Sequence, residues 1–217
     1  MASNRLVVEG VDDEHSIYHL LSRNGIQIPL KDSPDNPQGL PHVAQAKSVE
    51  KLINSIEVNV KACTDLIVGF VLDADTSVDN RWKSVSAKLA SVGVLELPKT
   101  LSNGGFIGES TEFRTRVGVW IMPDNISQGM LEDFLISLIH KNDILISHAE
   151  DSTNQAKQKG AEFSDPHRIK AVIHTWLAWQ REPGKPFGIA MKAEYFQQNS
   201  PTADTFVRWF RELYRIK

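Results

Sequence analysis

At 217 residues the chain can bury one core of α/β size, alone or with a small appended lobe, which leaves no room for two large independent domains. Its 41% hydrophobic and 24% charged residues are those of an ordinary soluble protein, no run approaches the roughly 20 apolar residues of a membrane span, and the lone Cys63 excludes an internal disulfide or a cysteine-based metal knuckle. The formal net charge of −3 argues against a simple nucleic-acid binder, whose phosphate contacts come from clustered Lys and Arg.

The first segment, RLVVEG, is a short Val-rich run ending at a Gly and predicts a buried strand of a parallel sheet. Nothing in MASNRLVVEG resembles the basic and apolar regions of a secretory leader, so the cytoplasm is the expected compartment. The stretch DDEHSIYHLLSRNG opens with acids suited to a helix N-terminus, spaces Ile17, Leu20 and Leu21 on one face, and stops at Asn24-Gly25. A second short strand is expected over 26–30, then a Pro-, Gly- and Asp-rich loop over 32–42 and a helix over 46–62. LIVGFVLDAD is continuously apolar and β-branched, as a central strand covered on both faces should be. An amphipathic helix follows over 82–92, and residues 98–116 predict a long loop or inserted element.

Strand character returns in RVGVWIMPDN, followed by a helix over 129–140. Beyond Asn142 helical patterns dominate, in HRIKAVIHTWLAWQ and DTFVRWFRELYRIK, with Trp176, Trp179 and Trp209 expected in the core. The alternation implies an α/β fold with a mostly parallel sheet flanked by helices, an α/β core over 1–140 and a helical C-terminal extension over 141–217 packed on it.

Two acidic clusters end predicted parallel strands: Glu9 ends VVEG, and Asp73 and Asp75 end VLDAD. Ligands of open α/β sheets bind outside the carboxyl ends of the strands, so these groups can converge despite their separation in sequence. Strand alternation puts Asp73 and Asp75 on the same side. Several carboxylates at one place repel unless a cation neutralises them, and hard oxygen ligands suit Mg²⁺ or Mn²⁺, which can activate water and stabilise charge on a transferring phosphoryl group. An Asp after a strand also commonly caps the next helix. Residues 1–150 carry a net charge of −7 and residues 151–217 a net +4, compatible with metal-dependent work on a polyanion.

LVVEGVDDEHSIYHLL resembles the first motif of Toprim domains, a strand followed by E-G-x-x-D and a helix, and VLDAD resembles their D-x-D strand. Toprim domains occur in topoisomerases, primases and nucleases of the overcoming-lysogenization-defect (OLD) type. VGVWIMPDNISQGMLEDFLISLI and HRIKAVIHTWLAWQREPGKPFGIA look like small bacterial families allied to those nucleases, and the Toprim likeness covers roughly residues 4–140. The resemblance implies a Rossmann-like Toprim sheet, Mg²⁺ or Mn²⁺ held by Glu9, Asp13 (with Asp12 its competitor, disfavoured by spacing alone), Asp73, Asp75 and Glu132, Glu9 alternatively as general acid or base, and Lys170 as the cation facing phosphate. It implies a nuclease acting on DNA or RNA in phage defence, with a homo-oligomer or a protein partner as further expectations and no membrane.

Two alternatives stand beside it. VLDADTS superficially resembles the D-x-D-x-[TV] strand end of aspartate-nucleophile phosphatases, in which Glu9 would have no role. A non-enzymatic regulatory or partner-binding protein could also keep the Toprim scaffold.

Overall fold

Alternating side chains on the central strands build two cores, one on each face of a single sheet. The structure, a computed structural model, describes residues 3–29 and 39–217. Strands β1 (Arg5–Val8), β2 (His42–Gln45), β3 (Ile67–Asp73), β4 (Phe106–Glu109) and β5 (Arg116–Met122) lie in the order β2-β1-β3-β5-β4. All neighbours pair in parallel except β4, which runs antiparallel along β5 at the edge. The helices are α1 (Val11–Arg23), α2 (Val49–Ala62), α3 (Val78–Ala90), α4 (Leu131–Ser137), α5 (Ile144–Gln158), α6 (Arg168–Ala178), α7 (Phe187–Lys192) and α8 (Pro201–Tyr214). This is the mixed α/β fold with a mostly parallel, helix-flanked sheet that the alternation of patterns implies.

On one face, Val7, Val68, Phe70, Leu72, Val117 and Val119 pack against α2 and α3. On the other, Leu6, Val8, Val71, Trp120 and Met122 share a core with α1, α4, α6 and α8. From β1 the chain winds outward to β2, then crosses back over β1 to β3 and on to β5. The winding direction therefore reverses between β1 and β3, the place where such sheets open a crevice at their carboxyl edge.

Helix α8 lies unusually close to the sheet because two paired glycines make room for it. Gly69 and Gly118 are partners across β3 and β5. A Cβ on Gly69 would lie 2.7 Å from the Tyr214 hydroxyl, and one on Gly118 would collide with Leu213. The Tyr214 hydroxyl donates to the Arg5 carbonyl, and Arg116 Nε donates to the Leu213 carbonyl at 3.1 Å, satisfying the last turn of the helix.

Several expectations are corrected. Residues 26–29 are irregular, although Ile26 and Ile28 are buried, because they anchor the chain to the core without a neighbouring strand; Leu30 and most of the 32–42 loop lie outside the described residues. The strand on that side of β1 is β2, whose HVAQ sequence is half exposed and so carries no continuous apolar run. Within 98–116 the chain forms the edge strand β4, interrupted by Gly108 and therefore weak as a pattern. Helix α3 starts four residues earlier than expected, where Ser77 accepts the Asn80 N–H at 3.2 Å. Trp176 and Trp209 are buried, but Trp179 is 39% exposed, because α6 ends before it and its ring stacks on His148 at the surface. Among the described residues no helix is long and apolar enough to cross a membrane.

The α8 seating predicts that Gly118→Ala destabilises the fold by about 1–3 kcal/mol, the usual cost of overpacking, and that Leu213→Ala in the same chain recovers part of it. Urea denaturation of the single and double variants measures both; a Gly118→Ala protein as stable as the wild type would show that α8 is not seated there.

Candidate functional site

The carboxyl edge of the sheet brings four of the sequence-identified acids to one cleft. Glu9 follows β1, Asp73 closes β3, Asp13 stands in the first turn of α1, and Glu132 in the first turn of α4. With Asp12, Lys47 and Lys170 they line a cleft of about 270 Å³. A roomier cavity of about 540 Å³ between α3 and residues 97–99 gathers one acid, Asp79, and lacks convergent chemistry.

Three of these carboxylates share a pattern. Glu9 Oε1 accepts the Asp73 N–H at 2.8 Å, Asp13 Oδ2 accepts the Gly10 N–H at 3.0 Å, and Asp73 Oδ1 accepts the Leu131 N–H at 3.0 Å. Each thus fixes one oxygen on a backbone amide and leaves the other without a protein partner among the described residues. For Asp13 the remaining Oδ1 is fully buried. Local sequence explains the arrangement: α1 begins directly after the extended Gly10, and Asp13 caps that start from the first turn. Asp133 repeats the device in α4, accepting the Met130 N–H at 2.9 Å.

Crowding shows in the acidities. Burial, with the Asp13, Glu9 and Glu132 charges, raises Asp73 from 3.8 to about 9. Burial and Glu9 raise Asp13 to about 7, and burial raises Glu9 despite its bond to the Asp73 amide.

Cations sit at the margins. Lys170 Nζ lies 3.3 Å from Glu132 Oε1, so the lysine expected to face phosphate is paired with one of the expected metal ligands. Glu132 itself is almost wholly buried. Asp75 does not line this cleft. Beyond Asp73 the strand has ended, and Asp75 turns away with φ 52°, so alternation no longer governs its side chain. Its carboxylate is bound by Arg81, whose Nε also donates to the Asp73 carbonyl at 2.7 Å. Among the described residues, no three His, Cys, Asp or Glu side chains are grouped as they would be around a bound ion.

A family model described as "Protein of unknown function (DUF3226)" matches residues 3–215. The chain belongs to this family. No curated protein matches the sequence. Among solved structures, it is similar to the C-terminal region of the Xanthomonas campestris pv. campestris OLD protein, with 11% identity, a TM-score of 0.50, and coverage of 99% of this chain and 95% of that one. At that identity the likeness is one of fold, and its extent takes in the C-terminal helices as well as the sheet.

Arg81 and Lys47 escape a reading of the sequence. Placing the helix start at Trp82 leaves Arg81 in a loop, and starting a helix at Ala46 hides Lys47 inside it. Ser77 and Ser48 were the available signals, since each caps its helix and sets the true start.

Because the folded chain holds protons on Asp13 and Asp73 that the unfolded chain releases above pH ~4, this contribution to stability is full at low pH and is lost as pH rises through 7 towards 9. Asp73→Asn keeps an acceptor for the Leu131 N–H and removes the charge. Without divalent metal, it is expected to exceed the wild type in stability by about 0.5–2 kcal/mol near pH 8, a typical gain on relieving a strained functional site, with the gap closing towards pH 4. Urea denaturation in EDTA across that range measures the gap. A gap independent of pH would sink the crowded-carboxylate account.

Proposed function

We propose that this protein is a divalent-metal-dependent nuclease of the Toprim type that hydrolyses nucleic-acid phosphodiesters, using Mg²⁺ or Mn²⁺. One observation carries it: at the switch point of the sheet, Glu9, Asp13 and Asp73 line one cleft, each with one oxygen fixed on a backbone amide and the other unpartnered among the described residues, that of Asp13 being buried. A buried carboxylate oxygen without a donor suits a cation. The donor set fits a hard ion, and Mg²⁺ commonly takes one or two carboxylates and completes its shell with water and substrate oxygens, which does not require three converged protein ligands. Asp13 and Asp73 would hold it with Glu9 beside them, and Glu132 and Asp75 would flank it while Lys170 and Arg81 neutralise them.

When bound, such an ion activates water and offsets charge on the phosphoryl oxygens. The remaining work falls to side chains. The attacking water bonds to phosphorus as one ester P–O bond breaks; its proton passes to Glu9, whose pKa burial raises as suits a general base, and the leaving oxygen takes a proton from solvent. Lys170 stands on the wall of the cleft, where its ammonium can leave Glu132 for a phosphate oxygen. The basic C-terminal segment thus meets the acidic core at this point. Support also comes from the E-G-x-x-D and D-x-D motifs and from the fold likeness to a region of an OLD protein. The bond between Glu9 and the Asp73 amide gives Glu9 a place that the aspartate-phosphatase alternative does not.

Incubation of the full chain with DNA, RNA and tRNA in Mg²⁺, Mn²⁺ or EDTA is expected to show cleavage with either metal and none in EDTA. Glu9→Ala and Asp73→Ala are expected to lose activity by about 100-fold or more, as for removal of a group acting directly at the reacting centre. Activity equal to wild type in both variants would overturn the proposed site, and absence of cleavage on every substrate would overturn the nuclease assignment.

A further inference from the structure

Lys47 shares the cleft with the acids but has no part in the hydrolysis derived above. Along the carboxyl edge, sheet order puts Lys47 after β2, Glu9 after β1, Asp73 after β3, and α4 with Glu132 and its partner Lys170 after β5. The acids therefore occupy the middle of a row with a lysine towards each end.

The backbone holds Lys47 there at a cost. The Ala46 N–H donates to the Val8 carbonyl at 2.9 Å and the Lys47 N–H to the Glu9 carbonyl at 2.7 Å, continuing the β1–β2 register past the strand end. Ser48 then caps α2, accepting the Lys51 N–H at 3.3 Å. Between these fixed points Lys47 adopts φ 74°, in the left-handed region. Asp75 and Asn125, which leave β3 and β5, adopt positive φ as well, but Asp and Asn tolerate it through their short polar side chains. Lysine lacks that tolerance, so the conformation costs about 1–3 kcal/mol; Glu96, Arg114, Glu194 and Arg215 share it elsewhere, and what distinguishes Lys47 is its position beside the acids. Glu9, Asp12 and Asp13 line the same cleft, yet among the described residues no carboxylate forms an ion pair with Lys47. Lys47 is exposed, so its ammonium can meet a ligand that enters the cleft.

We infer that Lys47 is a phosphate-binding residue that grips the nucleic-acid backbone on the β2 side of the reacting phosphate, across the acids from Lys170. The inference rests on the nuclease reading. Carboxylates neutralised by a metal leave no net attraction for the neighbouring phosphates of a polymer, and a flexible ammonium on each side supplies it as a point charge.

The test is fluorescence anisotropy of a labelled oligonucleotide with the full chain in Ca²⁺, over a series of salt concentrations, for wild type, Lys47→Ala, Lys47→Arg and Lys47→Gly. Lys47→Ala is expected to weaken binding by about 5–10-fold and to reduce the salt slope by about 0.7–0.9, the value of one phosphate contact. Lys47→Arg is expected to restore most of both. Lys47→Gly relieves the left-handed backbone, so it is expected to lose affinity like Lys47→Ala while melting above wild type, which separates lost charge from lost folding. Wild-type affinity and slope in Lys47→Ala or Lys47→Gly would overturn the assignment and leave the nuclease reading standing. Failure of the wild type to bind any DNA or RNA would overturn both. Loss of Mn²⁺ affinity in Lys47→Ala, read by titration calorimetry, would place the lysine at the metal site and overturn its role on the backbone.

Discussion

Glu9, Asp13, Asp73 and Glu132 stand close enough to feel one another's charge, and their side chains are themselves largely buried. Two like charges at 4 Å repel by roughly 4 kcal/mol at an effective dielectric near 20, so the arrangement opposes folding unless something holds it. Two kinds of interaction do. The parallel register of β1 and β3 puts Glu9 beside the Asp73 amide, and amides at Gly10 and Leu131 take one oxygen from Asp13 and one from Asp73. Lys170 and Arg81 then stand against Glu132 and Asp75. Helix starts, strand ends and flanking cations at this edge all answer to the same repulsion.

The scaffold that enforces this closeness is built from the opposite direction. Winding that reverses between β1 and β3 opens the crevice, and the cores on both faces keep the two strands from separating. The C-terminal helices are part of that enforcement. Helix α8 packs on the glycine pair of β3 and β5, and α6, resting on the same core, carries Lys170 to the cleft. Residues far from the acids in sequence therefore set where the counter-charge falls.

What was legible in the sequence follows from burial. Strands β1, β3 and β5 are covered on both faces, so their apolar runs are continuous, and Glu9 and Asp73 are conspicuous as acids where those runs stop. Strands β2 and β4 lie at the edges, pair with one neighbour each, and leave little pattern, and Lys47, next to β2, was correspondingly hidden. Asp75 shows the limit of alternation, which fails once the backbone leaves the strand. Trp179 shows the limit of helical periodicity, which has no hold past the last turn. Ion pairing is the least legible of all: nothing in the spacing of Glu132 and Lys170 announces their contact across 38 positions.

Under the proposed function, the ion pairs would couple the binding of metal and of phosphate. Lys170 is engaged by Glu132 and Arg81 by Asp75, so an arriving phosphate competes with carboxylates for the same cations. A divalent ion among Glu9, Asp13 and Asp73 would lower the charge density that holds those cations and release them towards substrate. A polyanion held by the released cations would in turn make the cleft more favourable for the metal, since linkage between two binding events is reciprocal. The same crowded carboxylates would then make metal and phosphate binding mutually dependent, and a site so arranged would gain affinity for each ligand mainly in the presence of the other.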